Sequence, residues 1–148
     1  MILIDSDVLI WLTRGQQSAK ARLSKINPWR ISAITHMELA QGCRNKEELQ
    51  RSKRGLERKG TEILPLTPSI SERAMHLIDA HALSEGLQVA DALIAATAIE
   101  QGFVLLTGNT KHFSAIEALK IEPFEPLASA ALLTTPHDPR TTDFMDVA

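Results

Sequence analysis

One cysteine, Cys43, is all the chain contains, so no internal disulfide can form and a fold stapled by oxidation is excluded. Nothing local to Cys43 marks it as a nucleophile, and it reads as a small, partly buried apolar residue. No signal peptide is recognisable, and no apolar run reaches the roughly 18 residues that a membrane helix needs. These absences predict a cytoplasmic protein without a membrane partner. A formal net charge of −2 gives no global attraction to nucleic acid, so any such binding must come from local basic patches or from metal ions that offset acids. There is no glycine-rich phosphate loop and no internal repeat.

What the chain does have is 148 residues, 44% of them hydrophobic, enough for one core and too few for two ordinary domains. Its first residues belong to that core. Met1-Ile2-Leu3-Ile4 is an unbroken apolar run that stops at Asp5, with Asp7 two residues on. Such a run reads as a short strand buried on both faces, and it delivers Asp5 to its carboxyl end. In open α/β sheets that edge is where ligands bind. Val8 to Leu12 is too apolar for a loop and reads as a short helix that packs on the sheet or on a partner subunit, ended by Gly15. Ser18 to Ile26 has the spacing of an amphipathic helix, stopped by Asn27-Pro28.

Trp29 to Ile34 alternates like a strand. Thr35-His36-Met37-Glu38 then matches a capping box, predicting a helix from Thr35 to about Cys43 and giving Glu38 an ordinary structural explanation. Asn45 to Lys59 is helical and rich in positive charge, including Lys46 and Lys53, with Arg44 just before it; this is either a solvated face or a contact for a phosphate backbone. Thr61 to Leu66 reads as a strand, and Ser69-Ile70-Ser71-Glu72 as a second capping box opening a helix that ends near Gly86. His76, Asp79 and His81 on that helix do not share one face and read as surface residues.

Gln88 to Gln101 is apolar almost all round and closes at Gly102, so it must be buried. Its first turn carries Asp91. The helix dipole favours an acid there by about 0.3–1 kcal/mol, but a carboxylate on a buried helix still needs a partner, because desolvating an unpaired charge costs far more. Phe103 to Leu106 is another apolar strand ending in polar residues, Thr107-Gly108-Asn109. Lys111 to Leu119 reads as a short helix or turn, and Lys120 to Phe124 as an edge strand containing Pro123. From Leu127 to Ala148 the pattern weakens into a partly irregular tail, leaving 1–126 as the domain. The alternation of strands and helices predicts an α/β fold with a mainly parallel sheet.

Asp5, Glu38, Asp91 and the Thr107 to Asn109 turn each place polar groups where such a sheet gathers its carboxyl edges. Like charges about 4 Å apart repel by roughly 4 kcal/mol at an effective dielectric of 20, so clustered acids call for a cation. Oxygen ligands with few histidines or cysteines point to Mg²⁺ or Mn²⁺ rather than zinc.

The ordered set Leu3-Ile4-Asp5-Ser6-Asp7, Thr35-His36-Met37-Glu38-Leu39, Asp91-Ala92-Leu93-Ile94-Ala95-Ala96-Thr97-Ala98 and Leu106-Thr107-Gly108-Asn109-Thr110-Lys111-His112-Phe113 resembles the PIN-domain ribonucleases, specifically VapC-type toxins of toxin–antitoxin modules. The resemblance covers Met1 to about Pro126, and the stretch from Asp91 is its most specific piece. It implies a three-layer αβα sandwich with a short-stranded central sheet and an endoribonuclease dependent on Mg²⁺ or Mn²⁺. Asp5, Glu38 and Asp91 would be the acidic metal-binding set, with Asn109 at a fourth catalytic position that is often an aspartate in the family. That departure leaves one carboxylate fewer for a second ion. Thr107 and Asp7 are possible accessory groups, and Arg44, Lys46 and Lys53 possible RNA contacts.

The implied reaction is attack by metal-activated water on exposed single-stranded RNA, leaving a 5′-phosphate and a 3′-hydroxyl. The implied partners are a cognate antitoxin and a second copy of the chain in a homodimer. Two alternatives stand beside this: a degenerate PIN module that binds RNA or protein without cutting, and a haloacid-dehalogenase-type phosphatase using Asp5 as nucleophile, which Asp5-Ser6-Asp7-Val8 also fits.

Overall fold

In the computed structural model, residues 1–126 are described, and the tail expected over 127–148 lies outside them. Five strands alternate with seven helices among the described residues: β1 (Ile2–Ile4), α1 (Ser6–Thr13), α2 (Gln17–Leu23), β2 (Arg30–Ser32), α3 (Ala33–Gln41), α4 (Lys46–Arg58), β3 (Glu62–Leu64), α5 (Pro68–Glu85), α6 (Val89–Gln101), β4 (Val104–Thr107), α7 (Thr110–Phe113) and β5 (Ile121–Pro123). β1, β4 and β5 form one parallel sheet in the order β1-β4-β5, and β2 pairs in parallel with β3. β2 lies beside β1, so the strands run β3-β2-β1-β4-β5 across the molecule. Every ladder is parallel, as the alternation of elements predicts.

The pleat divides the core in two. Leu3 and Leu105 point to one face, where they pack with Ile70, Ala74, Ala92, Ala95, Ala96 and Phe113 from α5, α6 and α7. Ile4 and Leu106, one residue on, point to the other, against Val8, Leu9, Leu12, Leu23, Trp29 and Leu39. Successive side chains of a strand face opposite ways, so two neighbouring apolar residues in each central strand suffice to bury helices on both sides. This is the αβα sandwich. The alanines of α6 let that helix lie close to the sheet, where Ala92, Ala95, Ala96 and Ala98 are fully buried.

The apolar run of α1 is shared between inside and outside: Val8, Leu9 and Leu12 are buried, Ile10 is exposed, and Trp11 is half-buried beneath the Arg14 guanidinium, which lies 5.6 Å from its ring centre. Edge strand β5 is fastened to α2 by Arg22, whose Nε and Nη2 donate to the two carboxylate oxygens of Glu122 at 2.5 and 2.8 Å. That bidentate pair holds the Glu122 carboxyl below its ordinary range. Among the described residues no helix is long and apolar enough to cross a membrane.

Both helix starts read from capping boxes differ from the sequence expectation, and α1 begins at Ser6 rather than Val8. α3 begins at Ala33, not Thr35, because β2 passes into it without a loop and Ser32 is the cap, its Oγ accepting from the Ile34 N–H at 3.1 Å. Thr35 is fully buried inside the first turn, and Glu38 is no capping partner. α5 begins at Pro68 after Thr67, whose Oγ1 accepts from the Ile70 N–H at 3.2 Å, so Ser69 is already helical. Proline in the first turn forfeits no helical hydrogen bond there. On α5, His76 and Asp79 are exposed as expected, and His81 Nδ1 stands 3.2 Å from Glu85.

Replacing Leu105 with alanine is expected to lower unfolding free energy by about 2–5 kcal/mol, since the side chain is wholly enclosed by packed neighbours. Leu83→Ser, on the fully exposed face of α5, should change it by no more than about 0.5 kcal/mol. Chemical denaturation of the two variants beside the parent checks both values.

Candidate active site

The register of β1 against β4 sets the floor of the site. Ile4 pairs with Leu106, which places the next residues, Asp5 and Thr107, side by side at the carboxyl edge. The Asp5 N–H donates to the Leu106 carbonyl at 2.9 Å, and the Thr107 hydroxyl donates to Asp5 Oδ2 at 2.7 Å. Asp5 Oδ1 accepts from the Ser6 N–H at 2.7 Å, so Asp5 is also the N-cap of α1. Both residues are buried. One carboxylate is thus clamped between two strand ends and a helix start.

Asp7 lies in the first turn of α1, and its Oδ2 accepts from the Gly108 N–H at 2.9 Å. Gly108 has to be glycine for this approach: a Cβ there would sit 2.8 Å from that same oxygen and 3.2 Å from the Phe124 carbonyl. Asp7 Oδ1 is buried with no hydrogen-bond partner. Glu38, carried by α3, reaches the cluster through Ser6, whose hydroxyl donates to Glu38 Oε1 at 3.0 Å and stands 3.5 Å from Asp5 Oδ1.

Asp91 enters from the start of α6. It is the third residue of the helix, and its Oδ2 accepts from the Gln88 N–H at 3.3 Å, an arrangement that closes the helix start. The partner a buried helix demands of it is His112, whose Nδ1 is 3.1 Å from the same oxygen. Asn109 is joined to both: its N–H donates to Thr107 Oγ1 at 2.9 Å and its side-chain Nδ2 is 3.1 Å from His112 Nδ1.

The electrostatics follow from this crowding. Burial, with Asp7 and then Asp91 nearby, pushes the Asp5 carboxyl up to about 7 against the relief given by Thr107 and Ser6. Burial also raises Asp7, with Asp91 adding to it and the Gly108 and Val8 N–H groups opposing. Asp5 therefore senses the charge of Asp7 and Asp91, and Asp7 that of Asp91, while Glu38 is tied in by a shared hydroxyl.

Among the described residues no three His, Cys, Asp or Glu side chains already stand at ion-holding distance. Each acid instead rests on a protein donor. The donor set nevertheless suits a hard divalent cation: the available atoms are carboxylate oxygens, one is a buried orphan on Asp7, and their mutual repulsion is what a cation relieves.

The structure thus gathers Asp5, Asp7, Glu38, Asp91, Thr107 and Asn109 at one edge. It places the basic candidates elsewhere, on and before α4. Arg44 is exposed and pairs with Glu48 at 2.9 Å, Lys46 borders a shallow recess with Glu47, Gln50, Arg51 and Arg54, and Lys53 is exposed. Cys43 hydrogen-bonds the Leu39 carbonyl, and burial pushes its thiol up, away from nucleophilic use. Sequence reasoning assigned no role to Ser6, Gly108 or His112. The only advance signal for His112 was the requirement that Asp91 find a partner.

Comparison with known proteins agrees with this architecture. The PIN domain family matches residues 2–119. The chain is 36% identical over 126 residues to Ribonuclease VapC10 of Mycobacterium tuberculosis, covering 81% of this chain and 91% of that protein. Among solved structures, a toxin–antitoxin complex from Klebsiella pneumoniae superposes with a TM-score of 0.72 at 32% identity, covering 84% of this chain and 99% of its counterpart. VapBC2 from Rickettsia felis, bound to a DNA fragment from its promoter, does so at 0.69 and 26%, covering 84% and 100%. A parallel five-stranded sandwich that brings its acids to one edge, matched over most of its length by these relatives, belongs to the PIN-domain family and, within it, to the VapC-type ribonucleases of toxin–antitoxin systems.

Proposed function

We propose that Asp5, Glu38 and Asp91 hold Mg²⁺ or Mn²⁺ and that residues 1–126 form a nuclease domain cutting exposed single-stranded RNA. The observation that carries this reading is the carboxylate cluster at the β1/β4 edge, where burial, with Asp7 and Asp91 adding to it, raises Asp5 to about 7. A bound divalent ion would supply Lewis acidity toward a phosphate oxygen and make a water acidic enough to attack phosphorus in line.

The chain's own residues do the positioning. Thr107 and the Ser6 N–H hold Asp5 rigidly, so its oxygens need no reorganisation when charge appears beside them. Ser6 holds one oxygen of Glu38 and leaves Oε2 free of hydrogen bonds among the described residues. Asn109, at the position that is often acidic in the family, adds a neutral amide rather than a fourth negative charge, which supports one strongly held ion over two. Lys46 and Lys53, with Arg44, give the RNA backbone a basic surface on the helix next to the one that carries Glu38.

The partners proposed are RNA, a cognate antitoxin and a second copy of the chain. The antitoxin is supported by the toxin–antitoxin complexes among the structural relatives, and the homodimer by the exposed Ile10 of α1 beside the half-buried Trp11. The proposed location is the cytoplasm. PIN-domain membership displaces the phosphatase alternative. A non-cutting RNA-binding module remains as the outcome in which purified, antitoxin-free protein retains RNA but shows no Mg²⁺- or Mn²⁺-dependent cleavage.

Asp5→Asn is expected to fold and to abolish RNA cleavage in Mg²⁺ or Mn²⁺, to the level the parent shows in EDTA; equal cleavage by variant and parent removes Asp5 from the mechanism. Products of the parent should carry 5′-phosphates and 3′-hydroxyls, read by end-labelling; 2′,3′-cyclic phosphates would mean attack by the RNA's own 2′-hydroxyl.

The raised pKa of Asp5 also sets a stability test. Between the ordinary carboxylate range and about 7, the folded chain keeps a proton that the unfolded chain releases, so this group's contribution to stability is fully present at low pH and is lost as pH rises through about 7. Without metal at pH 8, Asp5→Asn should therefore melt several degrees above the parent, at roughly 2–4 °C per kcal/mol for a chain of this size, and the gap should close toward pH 4. Melting curves across that pH range measure it.

A further inference from the structure

Asp91 divides the labour between its two oxygens. Oδ2 meets both the Gln88 N–H and His112 Nδ1, whereas Oδ1 takes no hydrogen bond among the described residues. A carboxylate held at one oxygen and open at the other is a ligand set in advance to bind through a single atom. The Gln88 contact, at 3.3 Å, is long and comes from the helix's own start, so on its own it restrains the side chain weakly. His112 is the second restraint, and it comes from a different part of the chain.

The ring is seated for that purpose. α7 is only four residues long, and the neighbouring Phe113 is wholly buried, which fixes where His112 emerges. On its far side Nε2 lies 4.0 Å from the position a Cβ would occupy on Gly86, the left-handed cap of α5. The tautomer is set by Asp91: an ionised carboxylate oxygen can only accept, so Nδ1 carries the hydrogen. Asn109 Nδ2, at 3.1 Å from the same nitrogen, is itself a donor, and a half-turn of its amide brings Oδ1 there instead. Both neighbours are then satisfied by one N–H.

We propose that His112 is a positioning residue, whose Nδ1–H grips Asp91 Oδ2 and so presents Oδ1 to a divalent ion. This rests on the reading of Asp91 as an ion ligand. Groups that orient metal ligands in this way typically change metal affinity by about 10–100-fold when removed. The fourth corner of the site is accordingly an Asn109–His112 pair acting on Asp91, in place of an additional acid acting on the ion.

The test compares His112→Asn, whose side-chain amide can restore the donor, with His112→Phe, which fills the space without one, and with His112→Ala. The full-length protein, freed of antitoxin and metal, is titrated with Mn²⁺ while free Mn²⁺ is followed by electron paramagnetic resonance. Melting temperature without metal and kcat and KM on a single-stranded RNA are measured alongside. His112→Phe and His112→Ala should bind Mn²⁺ about 10–100-fold more weakly, with kcat reduced at fixed Mn²⁺ and KM for RNA unchanged; His112→Asn should recover most of the affinity. If His112→Ala does not fold, the Asn and Phe variants decide the matter alone. Parental Mn²⁺ affinity in His112→Phe overturns the proposal, as does a His112→Asn variant no better than His112→Phe. A folded parent that binds no Mn²⁺ overturns the ion reading itself, which separates that failure from this one.

Discussion

A carboxylate at the junction of two strand ends, almost without water around it, is the feature on which the rest of the site depends. Asp5 occupies that place because β1 and β4 pair with Ile4 opposite Leu106, and the same register puts the Thr107 hydroxyl where it can donate to it. A slip of one residue would turn Leu3 and Ile4 to the wrong faces, emptying both halves of the core and withdrawing Asp5 from the edge. Packing and site are therefore specified by one alignment. The two apolar residues that make the sandwich three-layered are the two that aim the chain at the acids.

The cluster is held together against its own electrostatics. Burial and like charge raise the proton affinity of Asp5 and Asp7, and the protein answers with short hydrogen bonds from Ser6, Thr107 and Gly108 rather than by dispersing the acids. Those bonds also choose which oxygens are occupied. Asp7, Glu38 and Asp91 each have one oxygen on a protein donor, and the other is without a hydrogen bond among the described residues. An arrangement that is costly as a piece of architecture would suit a cation, since a bound ion would remove the repulsion between the acids. Such a site weakens the fold it sits in, as sites of pre-organised charge commonly do.

Membership of the PIN-domain family and the course of the elements could be seen early because they rest on local patterns. Short apolar runs ending at Asp5 and Thr107, an alanine-rich helix after Gln88 and a basic helix after Asn45 all have strong signatures within a few residues. The helix starts were harder. Thr35 and Ser69 each carry an acid three residues on, but Ser32 and Thr67 lie just upstream and cap instead, because the strand before α3 and the proline in α5 fix where each helix can begin. Glu38 shows the consequence: the residues around it fit a capping box, and only the true start of α3 releases it toward Ser6.

Sequence alone determined the alternation that makes the sheet parallel, the depth at which β1, β4 and α6 lie, and the presence of acids at several strand and helix ends, since each follows from side-chain periodicity and from the cost of leaving apolar surface in water. Tertiary structure decided which donors those acids meet. Thr107 and Gly108 lie about a hundred residues from Asp5 and Asp7, and Ser6 is likewise remote from Glu38. His112 finds Asp91 only after α6 and α7 have packed. Hydrogen bonds between distant segments depend on angles and distances of an ångström or less, and no local pattern of residues carries that information.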